Sequence, residues 1–249
     1  MRAKGVIKMK KIKVIVPVST DMWNEPVKKE MEKYKDTDTR IDIINIEKGP
    51  ESLECTYDEA WSELFTVQEA EKAEREGYDG VIIYCFGDPG LRAAKEKLDI
   101  PVVGINEPSI HIASLLGDKF SIISVGPAGP GITIEGLMKD KMKLYGFEHK
   151  CTSVRSIGIP VLDLGKENRR EAERVFEEAK KAVEEDGADT IVLGCGSILG
   201  VEGRILKELK VPVVIPGVAA LKICENLICM GIAQSKRYFA TPPEKKRLL

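Results

Sequence analysis

The chain has 249 residues, 43% of them hydrophobic and 31% charged, with a formal net charge of −2. That length supports a sizeable core, in one large α/β domain or two compact lobes, and the evenly spread charge leaves no nucleic-acid or membrane-surface footprint. No apolar run reaches the ~20 residues of a membrane helix, and the opening MRAKGVIKMKK holds no cleavable apolar segment, so a cytoplasmic protein with reduced thiols is expected.

Short β-branched runs alternate with longer charged stretches of helical period, the pattern of βαβ units around a mainly parallel sheet. The chain opens with strands at Ile12–Val18 and Ile41–Ile46, then a helix at Glu59–Glu76 closed by Gly77. A strand at Gly80–Tyr84, a helix at Leu91–Leu98, a strand at Val102–Gly104 and a helix at Ser109–Leu116 follow. The second half runs through strand Phe120–Val125, helix Gly131–Tyr145, strand Thr152–Ile157 and helix Lys166–Glu185, with Gly187 as the C-capping glycine. Strand Thr190–Gly194, helix Gly203–Leu209, strand Val213–Ile215 and helix Val218–Met230 complete it. Asp88-Pro89-Gly90 reads as a turn in which Asp88 is a cap. The GPAGPG run at 126–131 lacks the GxGxxG spacing of a dinucleotide site; it either forms a flexible connection or lines a cleft mouth.

An internal repeat organises these elements. YDGVIIYCFGDPGLRAAKEKLDIPVV at 78–103 matches ADTIVLGCGSILGVEGRILKELKVPVV at 188–214. Each copy has an acid-led apolar strand, a cysteine at its end, a glycine-bearing turn, a basic helix and a Pro-Val-Val strand. KIKVIV at Lys11 corresponds to KFSIIS at Lys119, and EREGYD corresponds to EEDGAD. Two α/β lobes are therefore predicted, at about 10–115 and 116–212, with the segment 213–235 packing back onto the first.

Of six cysteines, only Cys85 and Cys195 occupy equivalent points of the repeat. Cys224 and Cys229 lie in the apolar helix ALKICENLICMG and read as core, and Cys55 and Cys151 have no repeat partner. No CxxC is present and His111 and His149 stand far apart, so neither a zinc site nor a redox dithiol fits the spacing. A cysteine hydrolase would need one of those histidines as its base.

In parallel α/β sheets, ligands bind beyond the carboxyl ends of the strands, where both cysteines fall. Free N–H groups in such turns can lower a thiol's pKa from ~8.5 toward neutrality. Two lobes related by a pseudo-two-fold place one sulfur on each side of a shared cleft. Inversion of a carbon stereocentre wants that arrangement: one thiolate removes a proton from one face and the opposite thiol returns one to the other.

The motifs GPESLE at 49–54, CFGDPGLRAAKE at 85–96, PVVGINEPS at 101–109, VLGCGS at 192–197 and PVVIPGVAALKICENL at 212–227 carry a resemblance covering nearly the whole chain. The sequence resembles the aspartate/glutamate racemase superfamily, and within it the hydantoin racemase branch. The resemblance implies paired Rossmann-like lobes with the active site between them, cofactor-independent racemisation, a small-molecule substrate and a homo-oligomer. By it, Cys85 and Cys195 are the acid/base pair and the loop after the first strand helps hold the substrate; Ser19 and Thr20, with backbone N–H groups near Phe86, Gly87, Gly196 and Ser197, are expected to hold its carbonyls and nitrogens. The chain departs from the branch after the first strand, where Val16-Pro17-Val18-Ser19-Thr20 replaces an Asn-Pro-Asn-Thr type of motif.

Amino-acid racemases of the superfamily place Thr or Asn directly after a catalytic cysteine, where this chain has Phe86 and Gly196. The expected substrate is accordingly a 5-monosubstituted hydantoin or an allantoin-like ureide. The rival readings are an aspartate/glutamate-type racemase and, from a different class, a small-ligand binding protein without turnover.

Overall fold

The structure is a computed structural model and describes residues 9–126, 133–166 and 168–247. The first half runs β1 (Lys10–Val16), α1 (Asn24–Tyr34), β2 (Thr39–Asn45), α2 (Thr56–Arg75), β3 (Gly80–Ile83), α3 (Leu91–Lys97), β4 (Val102–Gly104) and α4 (Asn106–Leu116). The second repeats that order: β5 (Phe120–Ser124), α5 (Thr133–Tyr145), β6 (Cys151–Ser156), α6 (Asn168–Glu184), β7 (Thr190–Leu193), α7 (Glu202–Leu209), β8 (Val213–Val214) and α8 (Pro216–Met230). All eight predicted strands are present, each boundary within two residues of its expected place.

Two four-stranded, wholly parallel sheets result, ordered β2-β1-β3-β4 and β6-β5-β7-β8. Every residue of β3, β5 and β7 is buried, which explains why these strands read as unbroken apolar runs. The acid that leads the repeat has a structural task. Asp79 accepts the Lys11 N–H at 2.9 Å, and the equivalent Asp189 accepts that of Lys119 at 3.1 Å, so each acid ties adjacent parallel strands at their starts.

One helix escaped the sequence reading. α1 is NEPVKKEMEKY, and it buries only Val27, Glu30 and Met31, too thin a stripe to register as a period. Its Pro26 falls in the first turn, where no intrahelical N–H is needed.

The halves exchange their last helices. α4 packs against β7 and β8 of the second sheet, while its repeat partner α8 packs against β3 and β4 of the first. β8 pairs with β7 through Ile191↔Val213, so the chain crosses back only after that strand. Beyond α8, the Gln234 amide donates to the carbonyls of Leu98 at 2.6 Å and Ile100 at 2.9 Å, extending the return along the first half. Cys224 is fully buried under this helix, as a core residue should be, whereas Cys229 is exposed on its outer face. The apolar run around Cys229 hid that it falls on the solvent side. Among the described residues no helix is long and apolar enough to cross a membrane.

Candidate active site

Cys85 and Cys195 each stand two residues beyond a buried central strand. The chain leaves both strands in the same way. The Tyr84 N–H donates to the Ile15 carbonyl at 2.8 Å, as the Gly194 N–H does to that of Ile123 at 2.7 Å. Each cysteine carbonyl then closes a turn, accepting from Asp88 N–H at 2.9 Å and from Ile198 N–H at 3.2 Å. The repeat seen in the sequence is thus a repeat of backbone geometry.

Both turns line one cavity between the halves, which leaves about 70 Å³ for the centres of water-sized atoms, the room of roughly a handful of waters. Cys85, Phe86 and Gly87 line it from the first half, and Cys195, Gly196 and Ser197 from the second. Val18, Trp23 and Leu53 of the first half, with Ile134, Leu137 and Met138 of the second, make the rest largely apolar. Glu59 is the one charged residue among the described lining residues.

Ser19 and Thr20, expected to hold substrate, are not brought to this wall. The Val18 N–H bonds back to the Val16 carbonyl at 2.8 Å, a tight reversal that presents Pro17 and Val18 to the cavity. Ser19 is left exposed, its N–H donated to the Pro50 carbonyl at 3.0 Å. The Thr20 carbonyl accepts the Asn45 amide at 2.6 Å. His111 is likewise outside: its Nδ1 lies 2.7 Å from the Glu107 carbonyl and its ring stacks edge-on with Phe147. Of the GPAGPG run, residues 127–131 lie outside the described residues.

The turns were expected to depress the thiols' pKa values; the structure reverses this. Burial pushes both Cys85 and Cys195 above the ordinary thiol value. The turn amides act in the expected direction but are outweighed: the Gly87 N–H favours the Cys85 thiolate, and the N–H and hydroxyl of Ser197 favour that of Cys195. A largely apolar cavity around two half-buried thiols penalises a localised charge more than the hydrogen bonds of the turns repay.

Asp88 is a cap, as its turn suggested, but of a helix eighteen positions on. Its carboxylate accepts the N–H of Asn106 at 3.1 Å and of Glu107 at 3.0 Å, at the start of α4, and the Tyr145 hydroxyl at 2.7 Å. This anchors the Cys85 turn to β4–α4 and holds Asp88 at a φ of +49°. Burial, opposed by these bonds, pushes its carboxyl up to about 6.

Tyr84, Glu59 and Trp23 are site residues that the sequence reading passed over. The buried Tyr84 hydroxyl donates to the Gly196 carbonyl at 3.2 Å, joining the two cysteine turns. A Cβ at Gly196 or Gly217 would overlap that ring. A signal for this was present, since Tyr84 and Phe86 stand in one copy of the repeat where Gly194 and Gly196 stand in the other. Glu59 gave none, an acid in a first helical turn being commonplace. Among the described residues no group of three or more His, Cys, Asp or Glu is arranged to hold a metal ion.

Duplicated parallel sheets with a cysteine turn from each at one cavity define the class. The chain belongs to the Asp/Glu/Hydantoin racemase family, whose model matches residues 12–224. It is 37% identical over 236 residues to a hydantoin racemase of Pseudomonas sp. (strain NS671), covering 95% of this chain and 93% of that one. A hydantoin racemase of Paenarthrobacter aurescens is 35% identical over 240 residues, covering 96% and 100%. The solved allantoin racemase from Klebsiella pneumoniae superposes with a TM-score of 0.88 at 33% identity, covering 96% of both chains.

Proposed function

We propose that this protein is a cofactor-independent racemase that inverts C5 of 5-monosubstituted hydantoins or allantoin-like cyclic ureides, with Cys85 and Cys195 as the two acid/base groups. The observation that carries the reading is the pair of equivalent turns delivering one cysteine each to a single cavity. One thiolate takes the C5 proton, the electron pair delocalises onto the adjacent C4 oxygen, and the opposite thiol returns a proton to the other face. Each direction of reaction uses the same pair with roles exchanged. N–H groups of the turns at Phe86–Gly87 and Gly196–Ser197 are suited to hold the ring oxygens as charge develops.

The walls favour a neutral ring over a free amino acid. A zwitterionic substrate would ask for a cation opposite its carboxylate, and no Lys, Arg or His is among the described lining residues. The C5 proton of a hydantoin is also more acidic than the α-proton of a zwitterion, which suits a thiolate base. Names borne by the similar proteins above point the same way.

The test follows optical rotation of enantiopure 5-substituted hydantoins and allantoin in deuterated water. Rotation should decay as deuterium enters C5. Cys85→Ser and Cys195→Ser should each lower the rate by about 10²–10⁴-fold, the usual worth of a positioned acid or base. Unchanged rotation across several side chains would sink the substrate assignment, and full activity in either variant would defeat the two-base mechanism.

A further inference from the structure

Glu59 is a carboxylate in a place where a carboxylate is costly. It stands in the first turn of α2 and is 5% exposed. Its Oε2 lies 3.3 Å from Lys141 Nζ, which reaches over from α5 of the other half. Its Oε1 is buried with no hydrogen-bond partner. That oxygen packs so closely on Gly87 that a Cβ there would overlap it. Buried oxygens without a donor are rare, and each calls for a reason. Gly87 is also the residue whose N–H serves the Cys85 sulfur, so the charge rests on the turn that carries the thiol.

The two thiols therefore sit in unlike surroundings. Cys85 faces Glu59, Asp88 and Cys195, and after burial Glu59 weighs most in disfavouring its thiolate. Cys195 has the N–H and hydroxyl of Ser197; the acids acting on it, Glu171 and Glu54, weigh less than those hydrogen bonds. Burial pushes the Glu59 carboxyl above the usual carboxylate range, with Glu63 from α2 and Asp88 from the turn adding to the rise, while Lys141 from α5 opposes them by charge and hydrogen bond and favours the ionised form.

We propose that Glu59 is a positioning residue acting through Cys85: its carboxylate, held between Lys141 and Gly87, keeps the proton on Cys85 and makes Cys195 the resting base. The naming of base and acid rests on the racemase reading above, whereas the difference between the thiols does not. Turnover from the enantiomer whose C5–H faces Cys195 leaves the proton on Cys195 and the charge on Cys85. A proton must then pass from Cys195 to Cys85, through solvent, before the same direction repeats.

The experiment titrates thiolate absorbance in the ultraviolet for the full-length protein, with Cys85→Ser and Cys195→Ser isolating each thiol by difference. Cys195 should ionise at lower pH than Cys85. In Glu59→Gln the Cys85 midpoint should fall by about 1 pH unit, the scale expected on removing a neighbouring like charge, while that of Cys195 stays in place. Lys141→Met, which unmasks the carboxylate, should move Cys85 the other way and serves if Glu59→Gln does not fold. Cys85 ionising at or below Cys195, or a Cys85 midpoint indifferent to both variants, overturns the proposal. A merely structural role would shift melting temperature without moving the Cys85 midpoint selectively. The predicted titration order in a wild-type protein that racemises no cyclic ureide would sink the enzymatic reading alone, leaving the hold of Glu59 on Cys85 standing.

Discussion

Burying a thiol costs its ionised form the solvation that water would provide, and at this site two thiols bear that cost together. Burial raises both Cys85 and Cys195, against the pull of the Gly87 and Ser197 donors. In the proposed two-base mechanism the reacting base is a thiolate, so the fraction of competent enzyme is expected to grow as pH rises toward the elevated thiol values. We expect kcat/KM for either enantiomer to climb through pH 7–9, roughly tenfold per unit well below the pKa. A pH–rate profile that is flat from pH 6 upward would show that the thiols are depressed instead. The residue types and positions of the two cysteines were legible in the sequence because duplication marks equivalent points. Their ionisation was not legible, since desolvation depends on what covers the sulfur, and Leu137, Met138 and Trp23 come to the cavity from elements far away in the chain.

At the scale of elements, the turns matter more than the helices that follow them. Tyr84 ends the path out of β3 and reaches across to the carbonyl of Gly196, in the turn after β7. The absence of a side chain at Gly196 and Gly217 makes room for the ring. Gly196→Ala should therefore cost about 1–3 kcal/mol of stability through overpacking and lose activity as Cys195 shifts. Tyr84→Phe, which removes only the buried hydroxyl, should cost about 1 kcal/mol. Thermal unfolding separates the two, and an innocuous Gly196→Ala would mean the turns are not braced against each other. Gly196 is marked in the sequence by its place beside the cysteine, but the bracing partner requires knowing that two strand ends meet.

Over the whole molecule, the halves are held together by exchanged helices and by contacts that cross between them, and one of those contacts is adverse. Glu30 of α1 is buried, and both it and Glu202 of α7 carry an oxygen without a hydrogen-bond partner. Burial first, then the like charge of Glu202, pushes the Glu30 carboxyl up to about 7 from 4.5, with Lys33 opposing. A raised carboxyl binds its proton more tightly folded than unfolded. Its contribution to stability is full below about pH 4.5 and is lost as pH rises through about 7. Glu30→Gln should thus melt higher than wild type at pH 8, by about 1–3 kcal/mol of stability, with the gap closing at pH 5. A gap of equal size at both pH values would remove the charge from the explanation.

Local chemistry determined much of this protein from the sequence alone. β-branched runs specified eight strands, glycines marked helix ends, and Asp79 and Asp189 led matching strands because each ties down the start of its neighbour. The motif resemblance pointed to the family that the comparisons then showed. Three matters were left to the tertiary structure: the charged helix α1, whose burial is too slight to leave a period; the outward turn of Ser19 and Thr20, decided by a backbone reversal at Val18; and the place of Glu59 against Gly87. The physical reason is common to them. Period and propensity are properties of a few neighbouring residues, whereas burial, desolvation and the meeting of two turns are set by segments that are distant in the chain and adjacent only once the sheets have formed.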